Sequence, residues 1–67
     1  MHMEKQIGEA AGKVWQTLNK GPMRVAQLSA AAGLSAILTQ QAIGWLAREG
    51  KITSEAGPKG MVLRLKG

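Results

Sequence analysis

Two helical patterns in the middle of this chain are separated by only Ala32-Gly33-Leu34. So short a joint does not let two helices lie comfortably antiparallel; it makes them cross at roughly 90–120°. Gly33 suits the turn that ends the first of the pair, and Ser35 stands where an N-cap hydroxyl would accept from a free backbone N–H of the second. The helix before the joint reads from about Val25 to Ala31, with Val25, Leu28 and the alanine run facing inward. The helix after it runs to about Arg48 or Glu49, where Gly50 ends it.

The flanking segments have equally plain periodicities. From about Glu4 to Asn19 the apolar residues are Ile7, Ala10, Ala11, Val14, Trp15 and Leu18, one stripe of a 3.6-period helix. Gly21-Pro22 stops it. Met23-Arg24 is expected to pair as a very short strand. After Gly50 the period changes to 2. Ile52–Glu55 and Met61–Leu65 read as strands, with Met61, Leu63 and Leu65 on one face. Ala56–Gly60 joins them as a five-residue, glycine-containing hairpin loop. The predicted architecture is mainly α with a small β-hairpin: three helices, a two-stranded hairpin and a third short strand near Met23. No internal repeat or linker is evident. One domain is expected over residues 1–67, with Met1–Met3 a flexible tail.

Composition narrows the function. With 67 residues, the chain buries only about 60% of its unfolded surface, and its core supplies about 3–5 kcal/mol. There is no Cys, Asp, Tyr or Phe, and His2 is the one histidine. Those absences remove disulfide frameworks, thiolate metal sites and most catalytic constellations. The longest apolar stretch falls far short of the roughly 20 residues that cross a membrane. No leader precedes the first helix, so a cytoplasmic location is expected. Nine Lys and Arg against four Glu give a net charge of +5, compatible with a polyanionic partner and equally with ordinary solubility.

Gly33-Leu34-Ser35, Ile43, Leu46, Glu49-Gly50 and Ile52 fall at the spacing of winged helix-turn-helix repressors. Three further segments carry a closer likeness: Ile7–Trp15 with Leu18, Gly21-Pro22-Met23, and Gly44–Ile52. On these the chain resembles a family of small stand-alone bacterial and archaeal winged-helix proteins of unknown function, over essentially its whole length. The resemblance implies a winged-helix fold and leaves the target open. Arg24 departs from the Ser or Thr that would cap the second helix. Ala36-Ile37-Leu38 stands where such proteins often carry acidic residues.

Several motif-like runs have bland readings. Gly8…Gly12-Lys13 has three residues between its glycines, is followed by Val14 and lies within a helix, so it is not a phosphate loop. The glycines are expected to permit close helix packing. Gly57-Pro58-Lys59-Gly60 matches a Gly-x-x-Gly clamp, but joins strands rather than helices. His2 with Glu4 makes half a metal site at most. The four glutamates have no evident partners in a cleft, and a pocket of about 300 Å³ is not expected in so small a domain. No enzyme activity and no cofactor are expected. Trp15, mid-stripe, is expected in the core.

On a helical wheel of the third helix, Thr39, Ala42, Ile43 and Leu46 form the core face. Ile37, Gln40, Gln41, Gly44 and Arg48 lie opposite. Leu38 and Trp45, seven apart, share a flank and are expected to cover the base of the hairpin against Leu63 or Leu65. The leading function is double-stranded DNA binding with low sequence specificity, as in a small transcription regulator. Gln40, Gln41 and Arg48 would face the groove, and Lys51, Lys59 and Arg64, with Lys66, would touch phosphates from the hairpin. The alternative is a protein-interaction module using Ile37, Leu38 and Trp45; RNA binding is a third reading. No element is left over for dimerisation, so a monomer or weak homodimer is expected.

Overall fold

The computed structural model describes residues 3–66. The elements are α1 (Met3–Leu18), β1 (Met23–Arg24), α2 (Val25–Ala32), α3 (Ala36–Arg48), β2 (Ile52–Gly57) and β3 (Gly60–Leu65). Met3 already belongs to α1, contrary to the expected tail; Met1 and His2, and with them the half metal site, lie outside the described residues.

The joint between α2 and α3 is built by backbone bonds that its sequence dictates. Gly33 adopts φ 69°, ψ 34°. Its N–H donates to Ala30 C=O at 3.3 Å, and that of Leu34 donates to Ser29 C=O at 3.0 Å. This pair of bonds closes a helix on a left-handed residue, which glycine adopts without penalty. Ser29 Oγ also donates to Leu34 C=O at 2.6 Å. Two residues on, Ser35 Oγ accepts from the Leu38 N–H at 3.1 Å, so α3 starts where the sequence places its cap. At α2 the cap position holds Arg24, whose side chain has no acceptor. Instead the Arg24 backbone N–H donates to Gln27 Oε1 at 3.1 Å, half of a reciprocal cap. Gly50, at φ 70°, ends α3 with the same pair of bonds: Gly50 N–H to Ala47 C=O and Lys51 N–H to Leu46 C=O, both 3.0 Å.

The sheet has three antiparallel strands in the order β1-β3-β2. Met23 pairs with Leu63, and Ile52 with Leu65. Those residues face the helices, together with Ser54 and Met61. Arg24, Val62, Glu55, Arg64 and Thr53 therefore share the opposite face. The hairpin loop is two residues, not five: pairing continues through Ala56↔Met61 and Gly57↔Gly60. Pro58 and Lys59 make the turn without positive φ at Lys59, and Pro occupies the first central position, where its fixed φ favours a turn. The pairing is so tight that a Cβ on Gly57 would lie 2.9 Å from Gly60 O.

Ala10, Ala11, Val14, Leu18, Leu28, Ala42, Leu46, Ile52 and Leu63 form the core. Thr39 is fully buried and its hydroxyl donates to Ser35 C=O at 2.8 Å. The alanine run of α2 does not face inward as expected. Ala30 and Ala31 are exposed and Leu28 alone in that helix is buried. An eight-residue helix touching α1 and α3 needs only a narrow stripe; the other alanines serve helix propensity.

Candidate nucleic-acid interface

The cap at Ser35 and the burial of Thr39, Ala42 and Leu46 fix the rotation of α3 about its axis. Ile37, Gln40, Gln41, Gly44 and Arg48 are consequently all exposed on its outer side. Among the described residues Ile37 is the most open large apolar one, at 73%. No acidic residue occurs anywhere in Ala36–Arg48. The outer face is thus amide, glycine and aliphatic, with one cation in its last turn.

The hairpin cations expected beside this face are dispersed. Lys59 sits at the hairpin tip, where it shares a shallow hollow with Arg24, Gln27 and Pro58. Sequence reasoning missed Arg24 as a companion of Lys59. The signal was the pairing of β1 with β3, which sets Arg24 opposite Val62. Arg64 donates to Glu55 Oε1 at 2.8 Å, both side chains being about half exposed. It lies on the sheet face turned away from α3, and its charge is locally compensated. Lys51 leaves the end of α3 on the α1 side and lines a groove there. Gln40, Gln41 and Arg48 share the outer side of α3; Lys59 shares its hollow with Arg24, which lies on the same sheet face as the Glu55-paired Arg64; Lys51 joins neither group.

The apolar residues also differ from expectation. Ile43, half-buried rather than fully in the core, covers the base of the hairpin with Ala47, lining a crevice with Ile52, Ser54, Met61 and Leu63. Leu38 and Trp45 turn to the other flank, against α1: Leu38 approaches Ala10, Lys13 and Leu34, and Trp45 approaches Gly8, Gly12 and Trp15. Trp15 is 43% exposed, not core. Val14, Thr17 and Leu18 take the inner side of α1, and Trp15 falls at the stripe's edge, where the crossing of α3 leaves it uncovered. Gly8 and Gly12 do not serve close helix packing, since a Cβ at either would meet nothing within 4 Å. Together these residues border an open groove of about 380 Å³, larger than the sequence led us to expect.

A family model described as a winged helix-turn-helix domain, DUF2582, matches residues 1–65. The chain belongs to this winged helix-turn-helix family. An uncharacterised protein of Methanocaldococcus jannaschii is 38% identical over 64 residues, 91% of each chain. A Bacteroides thetaiotaomicron protein solved by solution NMR superposes with a TM-score of 0.89 at 34% identity. The match covers 98% of this chain and 82% of that one. In winged helix-turn-helix terms, α2 and α3 are the paired helices and β2–β3 is the wing. Among the described residues, no helix is long and apolar enough to cross a membrane.

Proposed function

We propose that this winged helix-turn-helix protein is a non-catalytic binding module that engages double-stranded DNA with low sequence specificity, as a small transcription regulator would. The observation that carries this reading is the outer face of α3: fully exposed, free of acidic residues and bearing Gln40, Gln41, Gly44 and Arg48. Glutamine amides pair with adenine edges, an aliphatic such as Ile37 can touch a thymine methyl, and Gly44 lets the backbone approach. Arg24 and Lys59 supply phosphate contacts from the wing side. Specificity is low because no Arg lies mid-helix for guanine.

A protein partner is the second reading. It is favoured by two exposed apolar side chains, Ile37 on α3 and Met61 on β3, the latter 57% exposed at the rim of a crevice with Ile43. One pair of variants separates the two. Gln41→Ala with Arg48→Ala should weaken duplex binding, while Ile37→Ser should leave it within a few-fold. Loss of a protein complex or oligomer on Ile37→Ser, with negligible duplex binding throughout, would replace the DNA reading by the protein one.

A further inference from the structure

Apart from Arg48, which borders both, the α1–α3 groove takes no part in the α3–wing reading, and its composition is unusual for this chain. The sequence has two Trp, no Tyr and no Phe, and both of its rings stand at this groove, 43% and 37% exposed. The interior is filled without them, by Val14, Leu28, Leu46 and Leu63. Gly8 and Gly12, one turn apart on α1, form the floor. Neither is demanded by the fold, because an added Cβ would meet nothing within 4 Å. What their missing side chains do is leave the helix backbone bare between two indoles. At one end stand Lys51 and Glu49, and Arg48 lies beside Trp45 on the rim.

We propose that this groove binds single-stranded nucleic acid, with unpaired bases stacked on Trp15 and Trp45 and phosphates held by Arg48 and Lys51. Half-open indoles accept the face of any base, and flanking cations track the backbone. A volume of about 380 Å³ lies in the roughly 300–1,000 Å³ range of ligand sites. Charge selects this occupant over an apolar peptide or a second copy. Among the described residues the groove itself sets Lys51 against Glu49, with Arg48 beside Trp45 at its edge, and the chain carries +5, so a polyanion is attracted and another copy repelled. Duplex does not substitute, because its bases must unstack to reach an indole. The site lies on the α1 flank of α3, so it stands whether or not the wing side binds duplex.

Both tryptophans report on the groove, so intrinsic fluorescence of the full chain reads it directly. At low salt, a short oligothymidylate should quench the emission strongly, and added salt should reverse this. Trp15→Ala and Trp45→Ala should each weaken binding roughly 5- to 100-fold. Gly12→Ala is the decisive variant: the fold has room for the methyl, so the melting temperature should not fall, while single-strand affinity drops and duplex binding is unchanged. Lys59→Ala should affect duplex alone, which keeps a failure of the wing reading apart from a failure here. The proposal is overturned if oligothymidylate does not quench at low salt, if duplex of equal length quenches as well, or if Gly12→Ala binds the oligomer as tightly as the parent. Emission that changes with protein concentration alone would also overturn it, as that would make the groove a dimer contact.

Discussion

At the scale of single residues, burial separates side chains that the sequence groups together. Leu28 is fully buried and Trp15 is not, although both lie on apolar stripes. Leu28→Ala should cost about 2–5 kcal/mol, which rivals the whole reserve of about 3–5 kcal/mol in so small a fold; its circular dichroism melt should be non-cooperative or absent. Trp15→Ala should cost less than half of the roughly 3–5 kcal/mol of a buried Trp and should melt cooperatively. The reverse ranking would mean that Trp15 is packed inside. Ser35→Ala removes the cap of α3 and should cost about 1 kcal/mol, measured as a lower urea midpoint at unchanged slope; Ser35→Gly should restore most of it.

At the scale of elements, what was legible in the sequence is what is local. Gly33, Ser35 and Gly50 act through bonds spanning a few residues, so the joint, the start of α3 and its end could be read from residue type. The switch to a two-residue period after Gly50 was legible for the same reason; the brief strand at Met23-Arg24, though expected, forms by pairing with Leu63 and Val62 far along the chain. Non-local geometry was not. Whether Trp15 and Trp45 are covered depends on where α3 crosses α1, which no residue pattern encodes. The two-residue turn at Pro58-Lys59 follows from Gly57 pairing with Gly60, a register the sequence allows but does not announce. Arg64 was read as a phosphate contact because it is one of the hairpin's cations. Strand alternation puts it on the outer face beside Glu55. That pair is half exposed, so it is worth at most about 0.2–1 kcal/mol. Glu55→Gln should therefore change the melting temperature little, yet release Arg64 and raise duplex affinity with a steeper salt dependence. Unchanged affinity would place the outer face of the wing away from DNA.

At the scale of the whole molecule, a net charge of +5 is distributed rather than concentrated. Arg48 ends α3, Arg24 and Lys59 mark the hairpin tip, and Lys51 serves the opposite flank. Such a layout favours anchoring on phosphates over reading a sequence, and the amide-rich face of α3 adds a modest preference for adenine. The most direct test is a titration of random duplex DNA at several salt concentrations, repeated with Arg24→Ala and Lys59→Ala. With Arg24, Arg48 and Lys59 each neutralising a phosphate, log K should fall against log salt with a slope of about −2.7. Each substitution should reduce that slope by about one unit across all sequences alike. No measurable duplex binding at low salt, or a slope unchanged by both substitutions, would contradict the account.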